Sequence, residues 1–168
     1  ELTHGSTWHS AGGMHTLNGD PNVAKLQQYT IELYKEIEKV SGQDCGIHIT
    51  GGVMLADTPE RVDWLKMSHA RGRYLGMETE LISVAEAKEL LPIMEEEYFV
   101  GAMFDAHEGH VDPTGVTNAY ATAAKRAGAE IYKWSWAHKI ERAADGGWHV
   151  HVGKTENGNP SKIIDDLG

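Results

Sequence analysis

Residues 5–13 read Gly5-Ser6-Thr7-Trp8-His9-Ser10-Ala11-Gly12-Gly13, a stretch with the period of neither a helix nor a strand. Its glycines let the backbone approach a flat ligand closely, and its hydroxyls offer short hydrogen bonds. Trp8 supplies a large aromatic face, and the neighbouring His9 supplies a ring nitrogen that can serve as a base, a ligand or a nucleophile. Composition alone leaves two interpretations of this stretch, a loop around a cofactor and an ordinary glycine-rich connection.

This loop, together with Leu2 and Thr3 before it, resembles the flavin loop of the dimethylglycine and sarcosine dehydrogenases, which belong to the D-amino-acid-oxidase-like FAD proteins. The resemblance implies that residues 5–13 contact the flavin and that His9 carries a covalent bond to the flavin 8α-methyl group. It extends through most of the chain, to about Trp148. His4 departs from the smaller residue that is frequent at this position in the family.

The motif Gly-x-Gly-x-x-Gly, which binds the pyrophosphate in dinucleotide-binding folds, is absent from this sequence. That motif seats the pyrophosphate at the N-terminus of a helix, so we expect the chain by itself to hold FAD weakly or not at all. Glu1-Leu2-Thr3 leads directly into the loop. This start predicts an internal piece of a longer protein, with the missing motif just upstream.

The composition is that of a globular protein with an acidic balance: 40% of the residues are hydrophobic, 24% are charged, and the formal net charge is −10. This charge disfavours binding to nucleic acids, whose phosphates attract basic proteins. No apolar run approaches the roughly 18 residues of a membrane span, so no membrane-spanning segment is expected. The single cysteine, Cys45, excludes an internal disulfide. It predicts a reducing compartment, either the cytoplasm or, in a eukaryote, the mitochondrial matrix.

Helix starts and strand-forming runs alternate along the chain, so the sequence predicts an α/β or α+β fold. A capping residue followed by proline starts helices at Asp20, Thr58 and Asp112, and a capping box of Ser83 and Glu86 starts another. Short strands are predicted at 46–50, 53–56, 80–82, 98–104 and 129–132, with a hairpin about 145–147 and a turn at 157–160. The last two of those strands, with the helix between them, form the pattern of a strand–helix–strand crossover.

The resemblance implies a Rossmann-like FAD-binding module that is interrupted by a mixed-sheet substrate domain above the flavin. Residues 1–45 would supply the flavin-contacting loop and a helix of the module, residues 46–109 part of the substrate domain, and residues 110–168 the return to the module. The resemblance also places the backbone of Ala137 at the adenine side of FAD. No site is assigned to residues 154–168.

A second group of polar residues consists of Asp105, His107, His110 and Asp112. Taken by itself, a His-x-x-His pattern with flanking carboxylates is compatible with a metal site. In the resembled family, residues 109–113 lie at a strand-to-helix junction near the substrate pocket. That position makes His110 a candidate pocket-wall or catalytic residue and Asp112 a helix cap. His149 and His151 alternate on one face of the predicted hairpin and are expected to be exposed, so no metal site is predicted.

The resemblance implies an FAD-dependent enzyme that oxidatively demethylates dimethylglycine or sarcosine, by hydride transfer from the N-methyl group to the flavin. The resulting iminium would be hydrolysed, or trapped by tetrahydrofolate, in the longer protein. An oxidase that passes electrons to oxygen is the near alternative. A non-catalytic module without cofactor and a metal hydrolase using His107 and His110 are alternatives from other classes. The sequence leaves open the exact amine, the electron acceptor and the oligomeric state.

Overall fold

The computed structural model describes residues 2–156 and 159–166. The helices are α1 (Pro21–Ser41), α2 (Pro59–Tyr74), α3 (Val84–Leu90) and α4 (Pro113–Arg126), with a single 3-10 turn at Glu96–Tyr98. The strands are β1 (Gly13–Met14), β2 (Gly52–Ala56), β3 (Thr79–Ile82), β4 (Gly101–Asp105), β5 (Gly109–His110), β6 (Ser135–Arg142), β7 (Trp148–Glu156) and β8 (Asn159–Asp166). The predicted mixture of helices and strands is confirmed. None of these helices has the length and apolar character needed to cross a membrane.

Each helix begins directly after the capping residue that the sequence predicts. The side chain of Asp20 accepts hydrogen bonds from backbone N–H groups in the first turn of α1, and Thr58 and Asp112 do the same for α2 and α4. Ser83 and Glu86 form a reciprocal capping box at α3. Such caps satisfy donors that the first turn of a helix leaves free. Local sequence signals therefore determine where these helices start.

The central sheet consists of β2, β4 and β3 in that order, and both neighbours of β4 run antiparallel to it. Successive side chains of a strand point to opposite faces of the sheet. In this sheet both faces carry apolar side chains. On one face Met103 packs with Leu65 of α2, and on the other Ala102 packs with Ala87 of α3. A helix therefore covers each side, which fixes the position of β4 and of the turn that follows it.

A second layer consists of α1 packed against α4. Its core contains buried residues from both helices and from the segments beside them: Met14, Ile31, Cys45, Val111, Val116 and Ala119. The short strands β1 and β5 pair antiparallel, Gly13 with His110 and Met14 with Gly109. This pairing joins the loop of residues 5–13 to the segment that enters α4. The division of the chain into domains at residues 45 and 109 stays a prediction.

Strands β6, β7 and β8 form an antiparallel sheet of their own. Ile140 pairs with Val150 and Arg142 with Trp148, so the hairpin predicted about residues 145–147 is confirmed. The register shifts between Ala137 and Lys139, which marks an irregularity in β6. The turn predicted at 157–160 includes Asn157 and Gly158, which lie outside the described residues.

The strand predicted at 46–50 is wrong. Among the described residues, His48 alone makes a β-bridge in this stretch, with His110. The glycines near its two ends, Gly46 and Gly51, have positive φ angles of 59° and 76°. These left-handed conformations turn the backbone out of an extended strand. The strand predicted at 98–104 is shorter than expected, because a 3-10 turn precedes it and β4 begins only at Gly101.

The strand predicted at 129–132 and the crossover that includes it are also wrong. Tyr132 is 71% exposed, and no described strand lies beside these residues. Trp134 has a φ angle of 60°, and β6 begins only at Ser135. Strands β4 and β6 belong to different sheets. A sequence with strand-forming residues becomes a strand only where the backbone of a neighbouring strand can hydrogen-bond to it. The local residue pattern does not show whether such a neighbour is present.

Candidate functional site

The loop of residues 5–13 follows a series of tight turns and leads into β1. The backbone N–H of Ser10 donates to the carbonyl oxygen of Thr7 at 3.2 Å, and the N–H of Gly12 donates to the Ser10 hydroxyl oxygen at 3.1 Å. Gly5 has a φ angle of 81°, a conformation that favours glycine. Hydrogen bonds within the loop therefore hold its shape without a helix or a strand.

Gly12 fixes the loop against the segment that enters α4. Its φ angle is 71°, and a β-carbon at this position would lie 2.1 Å from the carbonyl oxygen of Val111. The carbonyl oxygen of Gly12 accepts a hydrogen bond from the N–H of Val111 at 3.0 Å. Any side chain at residue 12 would push these two segments apart, so this close approach requires glycine.

A cleft of about 670 Å³ lies between the loop, α1 and the start of α4. Its volume falls in the range of about 300–1,000 Å³ that is typical of small-molecule sites. The helices contribute apolar and polar side chains to its wall: Leu26, Gln27, Thr30, Ile31, Val116 and Thr117. The cleft is therefore an apolar space with a few hydrogen-bonding groups, the composition expected of a site for a small organic molecule.

Among the cleft residues that the structure describes, one buried side-chain atom has no hydrogen-bond partner. The side-chain oxygen of Gln27 is buried and accepts no hydrogen bond from the described residues. The hydroxyl of Thr30, another cleft residue, donates to the carbonyl oxygen of Leu26 at 2.7 Å and is thereby satisfied. A buried acceptor without a donor raises the free energy of the folded state, so a ligand N–H that reached Gln27 would be favoured.

The structure brings several of the predicted flavin contacts together in the wall of this cleft: Ser6, Thr7, Ser10, Gly12 and Gly13. Trp8 and His9 instead face solvent. Trp8 is 61% exposed, and the centroid of its ring lies 4.1 Å from that of the His9 ring. Gly5 and Ala11 are exposed as well. The imidazole of His9 is therefore accessible to a ligand and is not packed into the interior, as a covalent attachment requires.

A buried carboxyl group beside the cleft was missed by the sequence analysis. Glu108 is 4% exposed, and its Oε2 lies 3.1 Å from Nδ1 of His15, a residue of the cleft wall. Burial raises the pKa of Glu108, whereas the hydrogen bond from His15 lowers it and the charge of Asp105 raises it again. Because 93 positions separate His15 from Glu108, no local motif connects them. The sequence indicated Glu108 only through its position in the polar run that follows β4.

The polar group of Asp105, His107, His110 and Asp112 does not converge on one point. Asp105 is buried and accepts a hydrogen bond from the hydroxyl of Thr16. Nε2 of His107 lies 4.0 Å from the carboxylate of Glu78, and Asp112 caps α4. In the part of the chain that the structure describes, no three potential metal ligands form a group.

His110 and Ala137 lie outside the wall of the cleft. His110 is exposed, and its ring stacks on that of His48 with the centroids 5.0 Å apart. The next residue, Val111, does line the cleft. Ala137 lies in β6, opposite Val152 of β7. The pocket role of His110 and the adenine contact of Ala137 therefore stay predictions.

The two histidines of the hairpin lie on β7. His149 is exposed, as expected, whereas His151 is partly buried. Nε2 of His151 lies 2.8 Å from a carboxylate oxygen of Glu141 on the neighbouring strand. This contact is a hydrogen bond on the surface between two strands, and it contributes little to stability even when the imidazole is protonated.

Comparison with known proteins decides the family of this chain. The profile of the DAO family, described as FAD dependent oxidoreductase, matches residues 1–165. The chain belongs to this family. It is 33% identical over 152 residues to the mitochondrial dimethylglycine dehydrogenase of Rattus norvegicus, an alignment that covers 90% of this chain and 18% of that protein. It is 33% identical over 131 residues to the mitochondrial sarcosine dehydrogenase of Homo sapiens, which covers 77% of this chain and 14% of that protein.

The fold of this FAD-dependent oxidoreductase chain recurs in solved structures. The glycine oxidase from Geobacillus kaustophilus matches with a TM-score of 0.75 at 25% identity, over 89% of this chain and 42% of that one. This likeness confirms the fold class, and the family match confirms the resemblance that the loop indicated. The chain spans less than a fifth of the two dehydrogenases.

The residues of the site fit the cofactor of this family. A flavin ring is flat and aromatic and has both N–H donors and acceptor atoms, so it needs a thin space, aromatic contact and polar partners. The loop offers a glycine-lined edge, the exposed ring of Trp8 and the accessible imidazole of His9. The hydroxyls of Ser6 and Thr7 add hydrogen-bonding groups at the same edge. Residues 6–13 are therefore the groups that would hold FAD.

Proposed function

We propose that the protein containing this chain is an FAD-dependent dehydrogenase that oxidatively demethylates N-methylated glycines such as dimethylglycine and sarcosine. The observation that carries this proposal is the accessible imidazole of His9, which stands beside the exposed ring of Trp8 on a loop that lines the cleft. The names of the two dehydrogenases, each 33% identical to this chain, support the substrate class.

The loop would hold the cofactor through two kinds of contact. His9 would carry the covalent bond, which prevents loss of the flavin, and Trp8 would pack against the aromatic ring system. The hydroxyls of Ser6 and Thr7 would donate hydrogen bonds from the edge that lines the cleft. Because Gly12 ties the loop to the segment before α4, the loop is held in one shape before the cofactor binds.

The cleft would bind the amine substrate and orient it. When bound, FAD supplies the acceptor for the hydride that leaves the N-methyl group. The side chains of Leu26, Ile31 and Val116 give the cleft an apolar wall. The buried oxygen of Gln27 would accept a hydrogen bond from an N–H of the amine. The chain's own contribution is therefore to position the amine.

An amine oxidase that passes its electrons to oxygen is the second candidate, and the likeness to the glycine oxidase structure favours it. Both candidates use the same site and differ in the electron acceptor. We propose no nucleic-acid partner. Tetrahydrofolate is proposed as an iminium acceptor in the longer protein. Relatives named as mitochondrial support the mitochondrial matrix as the compartment in a eukaryote.

Acid precipitation of the longer protein that contains this chain tests the attachment at His9. We expect a yellow pellet, because a covalent flavin stays with the denatured chain, and a colourless pellet from His9→Ala. His4→Ala is the matched control, since His4 is another exposed histidine next to the same loop, and it should keep the colour. A yellow pellet from His9→Ala would show that the flavin is attached at another residue. An unmodified protein without flavin would favour the non-catalytic module.

Anaerobic mixing with an amine tests the substrate class. Dimethylglycine or sarcosine should bleach the flavin absorbance, whereas glycine, which lacks the N-methyl group, should not. Admission of oxygen then separates the two candidates, because an oxidase recovers its absorbance quickly and a dehydrogenase needs another acceptor. Bleaching by glycine as fast as by sarcosine would contradict the proposed demethylation.

A further inference from the structure

The carboxyl group of Glu108 is placed in the interior at a cost to stability. The residue is 4% exposed, and its Oε1 is buried without a hydrogen-bond partner among the described residues. A buried carboxylate with an unsatisfied oxygen destabilises the folded state. Buried ionisable groups of this kind are concentrated at functional sites.

The surroundings of Glu108 hold its side chain in one position. A β-carbon on Gly52 would lie 2.0 Å from Oε2 of Glu108, so glycine at residue 52 makes room for the carboxyl group. Asp105, at the end of β4, is buried beside it and is itself held by the hydroxyl of Thr16 and by the backbone N–H of His107. The charged or titratable groups that face Glu108 are His15 and Asp105.

His15 connects this buried carboxyl group to the cleft. Its Nδ1 lies 3.1 Å from Oε2 of Glu108, while its ring forms part of the cleft wall. Nε2 lies beside Gly13, 3.6 Å from where a β-carbon of that residue would be. When Glu108 is ionised it can only accept, so this hydrogen bond requires the proton of the imidazole on Nδ1 and leaves a lone pair on Nε2. The side chain of His15 is 65% exposed and can therefore meet a ligand.

We propose that His15 is the proton acceptor for the ammonium group of the amine substrate, and that Glu108 is a positioning residue that orients the imidazole and stabilises its charged form. This inference rests on the proposed function, because it requires an amine in the cleft. A histidine held by a buried carboxylate through one nitrogen, with the other nitrogen directed to the substrate, is the arrangement of an efficient general base.

The proton transfer is needed because the amino group of an N-methylated glycine is protonated at neutral pH. The carbon beside the nitrogen can release a hydride only when the nitrogen lone pair is free. In the proposed step one N–H bond of the ammonium breaks and one N–H bond forms at Nε2 of His15. The positive charge moves from the amine to the imidazole, and no electrons leave either molecule. The apolar cleft residues Leu26, Ile31 and Val116 favour the neutral amine over its cation.

Kinetics of the FAD-loaded protein with sarcosine test both roles. His15→Gln should lower kcat/KM by about 10²- to 10⁴-fold, the usual contribution of a general base. Glu108→Gln keeps the size of the side chain but removes the charge, so it should lower kcat/KM by a smaller factor and move the acidic limb of the pH profile to lower pH. His151→Gln is the matched control, since it removes a histidine that is paired with the carboxylate of Glu141 on the hairpin, and it should leave kcat/KM unchanged.

Long-range ¹H–¹⁵N NMR of the histidine rings in the same FAD-loaded protein gives a readout that does not depend on activity. The signals that disappear in His15→Gln identify this ring. In the unmodified protein they should be those of a neutral ring protonated at Nδ1, and in Glu108→Gln they should shift toward the form protonated at Nε2. A merely structural role for His15 would not link its tautomer to the pH profile.

The outcomes separate this inference from the proposed function. Turnover of sarcosine with an unchanged pH profile in both His15→Gln and Glu108→Gln would overturn the inference and leave the proposed function in place. A neutral His15 ring protonated at Nε2 in the unmodified protein would also overturn it. A protein that holds flavin but oxidises no N-methylated glycine would overturn both statements.

Discussion

Replacing Gly12 by alanine should destabilise the protein by about 2–5 kcal/mol. An L-residue in the left-handed region costs about 1–2 kcal/mol, and the φ angle of Gly12 is 71°. The new β-carbon would also lie 2.1 Å from the carbonyl oxygen of Val111, far inside van der Waals contact. Relieving such an overlap in a packed region costs about 1–3 kcal/mol. The sum is a large part of the roughly 5–15 kcal/mol that stabilises a typical domain.

Gly76→Ala is the matched control for this substitution. Its φ angle of 80° is close to that of Gly12, but a β-carbon there would meet no atom within 4 Å. The control should therefore lose about 1–2 kcal/mol, the conformational part alone. Urea unfolding followed by circular dichroism gives the free energy of each variant. Equal losses in the two variants would refute the conclusion that close packing against Val111 requires glycine at residue 12.

Three further predictions concern titratable groups. Hydrogen bonds from Ser83 lower the pKa of Glu86 below 4.5, so the stability that this carboxylate contributes is complete above pH 4.5 and is lost as the pH falls through the folded-state pKa. The difference in urea midpoint between the unmodified protein and Glu86→Gln should therefore shrink in acid, and a constant difference would contradict this. Burial raises the pKa of Glu108 above 4.5, so its ionisation opposes folding as the pH rises through the folded-state pKa. Glu108→Gln should thus gain urea stability relative to the unmodified protein at about pH 8 but not at about pH 4, and a gain that does not depend on pH would argue against a desolvated carboxylate. The thiol of Cys45 is buried, and burial raises its pKa. A disulfide reagent such as DTNB should therefore modify it in urea but not in the native protein, and fast native labelling would contradict the burial.

Helix starts were predictable because their causes are local. Asp20, Thr58 and Asp112 each cap a helix whose first position is proline, and the side chain and the backbone that it bonds are two or three residues apart. The capping box at Ser83 is equally local. Nothing distant along the chain is needed to form these contacts, so residue order alone determines them.

The strands and the contact between His15 and Glu108 were less predictable, because the residues that meet are distant in the sequence. The run at 129–132 has strand-forming residues but no described strand beside it, whereas the two-residue strand β5 forms because β1 lies next to it. His15 and Glu108 meet across 93 positions, a separation that no spacing rule covers. The loop of residues 5–13 was recognised only because its residues resemble a family motif. Only the structure shows which residues of the loop line the cleft and which face solvent.

The pairing of β1 with β5 has a consequence for the order of events during synthesis. Residues 13 and 14 leave the ribosome roughly a hundred residues before the partners 109 and 110 that hold them. At translation rates of about 5–20 residues per second, this gap lasts about 5–20 s. During that interval β1 lacks the strand that pairs with it, whereas α1 and α2 are already synthesised. The loop of residues 5–13 can therefore reach its final position only late in the translation of this region.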